Sequence, residues 1–244
     1  IIESLVTLGI VFILVGVVVS RQGLYTERIA LTNLADEISS TLSQSQAYGT
    51  GVKEFSPGTS SFPTAYGLSF SLLGSGANNA YISFGDRNND AAYGGDWTCA
   101  TGGANDECLK KVDVANGNII DTICAIRSAG GDLCNLGRAD ISFARPATEA
   151  QLIIYNSAGN QFSPANVIGV RVVLKSPKDV TQTVSVYNTG QISVSTVSYA
   201  YPSLTVTLGS SPTNPIPYNS SATLTWSSTN ASSCTASGAW SGSK

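Results

Sequence analysis

The sequence predicts an α+β fold: one long N-terminal α-helix, transmembrane and then amphipathic, with a β-rich globular head and a short C-terminal β tail. Three observations predict it. From Leu8 to Val19 nothing is charged and only Gly9 and Gly16 interrupt the apolar side chains, and apolar residues then recur at helical spacing toward Tyr48. After Tyr48 the chain becomes short apolar runs divided by Gly, Asn, Ser and Pro, the texture of strands and turns. From about Ala200 it shifts again, to Ser, Thr, Asn and Pro with two strand-like runs. The expected divisions are 1–48 for the helix, with 1–19 its apolar part, 49–198 for the head, and 199–244 for a linker and tail.

At about 1.5 Å of rise per residue, the run from Ile1 to Val19 spans roughly 28 Å, close to the thickness of a bilayer's hydrocarbon core. A removable signal peptide needs a basic segment ahead of its apolar core, and no Lys or Arg precedes Arg21. Glu3 sits at the head of this run, where a charge costs roughly 2.5–3.5 kcal/mol unless it reaches water or meets a partner. Beyond Arg21 the helical stripe is Leu24, Leu31, Leu34, Ala35, Ile38 and Leu42, with polar residues on the other faces. Gly9, Gly16 and Gly23 recur every seventh position, suited either to close helix packing or to a segment that unwinds.

In the head the expected strands are Ala65–Leu72, Ala80–Phe84, Cys108–Val114, Asn118–Ile126, Ala139–Phe143, Gln151–Tyr155, Val167–Leu174, Thr181–Tyr187 and Gln191–Val197. The last three form a meander, with a turn at Asn188–Gly190 able to take positive φ. The tail runs are Leu204–Leu208 and Ala222–Trp226.

Composition narrows the function. Charged residues are only 12% of the 244, the net charge is −3 and the pI is near 4.9, so there is no basic footprint for nucleic acid. There is no His, the side chain best suited to proton transfer near neutral pH. Phosphate-loop, nucleophile-elbow and paired CxxC motifs are missing as well, and an enzyme is not expected.

Two insertions carry candidate chemistry. In "GDRNNDAAYGGDW", Asp86, Asn88 and Asp90 alternate, so a loop could turn three oxygens toward one calcium ion, with Asp96 or Glu107 completing the set. The competing reading is an Asn/Asp turn cluster that satisfies its own backbone. No cofactor is required; calcium is the one candidate. Among the five cysteines, sequence nearness favours Cys99–Cys108 and Cys124–Cys134, each closing a loop of about ten residues, while crossed pairings among these four remain a rival. Cys234 is left over.

The opening "IIESLVTLGIVFILVG" resembles the N-terminus of type IV pilins and related pseudopilins, and "ADISFARP" resembles their head less specifically. The resemblance implies a major pilin: a precursor held by a single pass in the cytoplasmic membrane, cut by a prepilin peptidase, then polymerised by the pilus assembly machinery into an extracellular filament. Its partner is itself, with no specific nucleic acid. The family's glutamate is the fifth residue, after an N-methylated phenylalanine, so Glu3 corresponds to it if two residues precede Ile1. The resemblance makes Glu3 an assembly residue that meets a neighbouring N-terminal amine, with Leu5, Leu8, Gly9, Phe12 and Gly16 packing between helices. A minor pilin, a type II secretion pseudopilin or a membrane-tethered surface-binding protein that does not polymerise are the alternatives. The tail resembles the opening strands of an immunoglobulin-like surface module with Trp226 in its core, and Asn219 and Asn230 lie in glycosylation patterns. About 45 residues are too few for such a module, which predicts a further segment supplying strands and a partner for Cys234.

Overall fold

A computed structural model describes residues 2–56, 58, 60–74, 77–100, 106–196, 198–199, 205–211, 223–229, 235–236 and 242–243. Within the first 24 residues, side-chain surroundings are described only at Val11 and Gly23. The chain divides into two compact units, Ile1–Tyr199 and Ala200–Lys244.

The first unit is mostly β. Among the described residues its α-helix is α1 (Ile2–Thr50), with a single 3-10 turn at Ala77–Asn79. Eleven strands come after it: β1 (Ala65–Ser71), β2 (Ala80–Asp86), β3 (Cys108–Asp113), β4 (Ile119–Arg127), β5 (Arg138–Ala144), β6 (Ala150–Tyr155), β7 (Gln161–Phe162), β8 (Val167–Lys175), β9 (Val180–Tyr187), β10 (Ile192–Val194) and β11 (Ser198–Tyr199). They make two antiparallel sheets. The first has the order β3-β2-β1-β5-β6-β7, and the second runs β10-β9-β8-β4 with β11 also on β9.

The expected fold class is therefore corrected. Two sheets dominate, in place of a long helix with a subordinate head, and they supply most of the core, including Leu68, Phe70, Tyr81, Ile123, Ile141, Phe143, Val172 and Val184. From the helix come Leu31, Leu34, Ala35, Ile38 and Leu42, all buried and all spaced for one face. The transmembrane part of the expectation is corrected too: among the described residues no helix is long and apolar enough to cross a membrane. The part of the helix whose side chains are described, from Tyr25 on, is polar apart from its stripe, with Glu27, Arg28, Asp36 and Glu37 interspersed with Ser, Thr and Gln. Such a segment suits a water-facing helix with one apolar stripe.

The helix packs on β1 and β5 of one sheet and on β9 and β10 of the other. Its C-terminal turn comes closest. A Cβ on Gly49 would lie 2.0 Å from the Phe143 carbonyl oxygen, so only glycine lets the helix end seat on β5. The β8–β9–β10 meander is present, and Gly190 takes φ of +83° in the turn, where its N–H donates to the Tyr187 carbonyl at 2.8 Å. In the second unit, β12 (Thr205–Ser211) pairs antiparallel with β13 (Thr223–Thr229), and β14 (Thr235–Ala236) with β15 (Gly242–Ser243). The side chain of Trp226, and Asn219, Asn230 and Cys234, lie outside the described residues.

Candidate functional site

Glu3, Leu5, Leu8, Gly9, Phe12 and Gly16 fall in the first half of α1, and their side chains lie outside the described residues. What the structure places is the region that fixes the second half of the helix on the head. Near its start the Glu27 carboxylate accepts from Ser176 Oγ at 3.0 Å and from the Lys178 N–H at 3.1 Å, and pairs with Lys178 Nζ at 3.2 Å. The whole β8–β9 turn is thereby clasped by one side chain. Near the other end Gln46 Nε2 donates to the carbonyls of Thr148 at 3.0 Å and Gly190 at 3.2 Å. Arg145 Nη1 donates to the Gly51 carbonyl at 3.2 Å and Tyr66 Oη to the Lys53 carbonyl at 2.7 Å, closing the exit from the helix. Burial pushes the Tyr66 phenol up to about 12, so it remains a donor through the neutral range.

The apolar stripe of this region is legible in the sequence, and its polar ties are not. Glu27 and Gln46 look like any polar residue on a water-facing helix until the turn that meets each is known.

The acidic loop is assembled around two buried carboxylates, Asp86 and Glu107. Asp86 Oδ1 accepts from the N–H of Asn89 at 2.6 Å and of Asp90 at 3.3 Å, while Oδ2 accepts from Ala91 at 3.0 Å. Glu107 accepts from the N–H groups of Arg87, Asn88 and Gly94. Asn88 and Asp90 are brought beside Asp86, with Asn88 Nδ2 donating to Asp90 Oδ2 at 2.9 Å and the Ala92 N–H to Asp90 Oδ1 at 2.8 Å. Asp96 belongs to a separate turn, where it accepts from Thr98 and Ala100. Backbone donors thus close the loop, and among the described residues no group of three or more His, Cys, Asp or Glu is placed to hold a metal ion. Burial raises the Glu107 pKa, and the three backbone donors oppose that shift.

A second buried group pins this loop to the sheet. Asp140 is inaccessible to solvent and accepts from Ser69 Oγ at 2.6 Å, the Tyr93 N–H at 3.1 Å and both arms of Arg138. Arg138 also donates to the Tyr93 carbonyl and stacks on the Tyr155 ring at 4.8 Å. Desolvation pushes the Asp140 carboxyl upward against the pull of Arg138. With every lone-pair direction engaged, the pair fixes where residues 86–95 sit on β1 and β5.

Both disulfides formed by neighbours in sequence are present, Cys99–Cys108 and Cys124–Cys134, and the crossed pairings are not. They point to an extracellular location, since such bonds persist in oxidising surroundings. The chain matches no family model, no curated protein and no solved structure.

Proposed function

We infer that the chain is the structural subunit of an extracellular filament of the type IV pilus kind, a major pilin that polymerises with copies of itself. The observation that supports the reading best is how the head's core closes. It takes Leu31, Leu34, Ala35, Ile38 and Leu42 from the helix, and Glu27 and Gln46 tie that same stretch to the two sheets. In this reading the apolar run 1–19 supplies the surface that is buried between subunits. Within a filament Glu3 pairs with the N-terminal amine of a neighbour, a contact strengthened where water is excluded. The two disulfides supply an exported head with cross-links suited to life outside the cell.

Negative-stain images of material sheared from cells test the reading, with long filaments the expected result. Glu3→Ala should abolish filaments while leaving the head folded, as judged by retention of both disulfides. Monomers from the unaltered chain, or a normal filament yield from Glu3→Ala, would overturn it.

A further inference from the structure

β4 is the last strand of its sheet, and its outer edge carries backbone groups that would otherwise be free. The segment after it folds back to cover them. Ala125 N–H donates to the Leu133 carbonyl at 2.8 Å, Leu133 N–H returns a bond to the Ala125 carbonyl at 2.9 Å, and Leu136 N–H donates to the Ile123 carbonyl at 3.1 Å. Four further ties hold this cap in place. Arg127 donates to the carbonyls of Gly130 and Gly131 at 2.6 Å each, Asp132 pairs with Arg171 of β8 at 2.7 Å, Leu136 is buried, and Cys134 is bonded to Cys124.

The strand beneath explains why it needs covering. "IIDTICAIR" is rich in β-branched residues, has no Pro or Gly, and its two charges, Asp121 and Arg127, cancel. That is the pattern of a segment that pairs with copies of itself. Paired antiparallel about Ile123, two β4 strands would set Asp121 against Ala125 and Ile120 against Ile126, with no like charges opposed.

The two disulfides differ in access. Cys108 is buried in a cluster with Ile82, Phe84 and Tyr93, and Cys99 is half-buried with Trp97 against the same cluster. Cys134 is exposed, while its partner Cys124 is 2% exposed. Thiol exchange needs a line of approach to one sulfur, and of the four residues Cys134 is the exposed one.

We propose that Cys124–Cys134 is an exchangeable disulfide, opened by a dithiol reductant at Cys134, and that opening releases the cap so that β4 pairs edge to edge with β4 of a second copy. The reductant's thiolate attacks the Cys134 sulfur, the S–S bond breaks and its electron pair leaves on Cys124, which takes up a proton. The reductant's second thiolate then attacks the mixed disulfide, freeing Cys134 as a thiolate that is protonated in turn. Two electrons and two protons have passed to the protein, and the reductant is left as a cyclic disulfide.

The test uses the full chain in mild detergent, with Cys234→Ser so that no intermolecular disulfide imitates association. Under limiting dithiothreitol, iodoacetamide should label Cys124 and Cys134 roughly tenfold faster than Cys99 and Cys108, following the exposure of Cys134. Hydrogen exchange at residues 123–136 should rise while 180–187 stay protected, and light scattering should show dimers or larger species. Cys134→Ser should behave this way without reductant. Thr122→Lys in the chain that keeps Cys134 should suppress association under reductant while leaving labelling of Cys124 and Cys134 unchanged. Equal labelling of both pairs, unchanged exchange at 123–136, or a reduced chain that stays monomeric would each overturn the proposal.

Discussion

The two sheets end in edge strands of opposite character, β3 largely open to solvent and β4 largely buried. β3, at the edge of the first sheet, reads Cys-Leu-Lys-Lys-Val-Asp, and Lys110 and Lys111 are solvent-facing or nearly so. In an antiparallel pair of such edges the lysines would face each other, so charge alone deters self-pairing. β4, at the edge of the second sheet, has no such guard and is covered by a loop under a covalent lock. One edge is protected by its own side chains at all times, the other by a device that can be opened. Protection by charge responds to salt, and protection by a disulfide responds to redox conditions.

The comparison breaks most visibly at the cysteines. Replacing Cys124 and Cys134 together by Ser should cost roughly 3 kcal/mol in denaturant unfolding, the loop-closure value for a ten-residue ring, and replacing Cys99 and Cys108 should cost a similar amount. Only the first pair should also cause self-association by light scattering, and association in both would erase the distinction between the edges. A smaller effect on stability is expected from Lys110→Thr with Lys111→Val, within about 0.5 kcal/mol because both are surface positions. That double variant should nonetheless associate under oxidising conditions, since it removes the guard from β3; a monomer would show that charge is not what protects this edge.

The smallest effect concerns pH at the base of β3. The Glu107 pKa is raised in the folded state, so the native protein holds its proton at a pH where the unfolded chain has lost it. The contribution is fully present below the ordinary carboxylate range and is lost as pH rises through the raised value. Carbon NMR of Glu107 should titrate above the usual ~4.3, and the unfolding midpoint contributed by this site should fall across that interval. A midpoint at or below the usual value would contradict burial as the controlling cause.

Which of these features could be read from the sequence depends on their range along the chain. Alternation and turn residues mark the strands from β1 to β6 and the β8–β9–β10 meander, because each strand's pattern is local. Leu31, Leu34, Ala35, Ile38 and Leu42 reveal the helix face for the same reason. The two-residue strands β7 and β11 carry no period and are invisible. The apolar N-terminal run weights a sequence reading toward the helix, although the sheets set the architecture. Glu27 meets Ser176 across 149 positions, and Asp140 meets Tyr93 across 47, so neither contact has a local signature. The acidic loop was legible as a cluster, but its oxygens turned out to be aimed at backbone N–H groups, an outcome that depends on loop dihedrals such as φ of +67° at Asn89 and +63° at Ala91.

The clasp at Glu27 and the tie at Gln46 stand 19 residues apart on one helix, roughly 28 Å at the helical rise. If tension is applied along the helix axis from its N-terminus, both attachments and the apolar stripe between them are strained at once in shear, rather than one after another as in peeling. Gly49, seated against the Phe143 carbonyl, acts as the stop at the far end. A chain tied this way would pass a pull from helix to head through all these contacts together, without first unravelling.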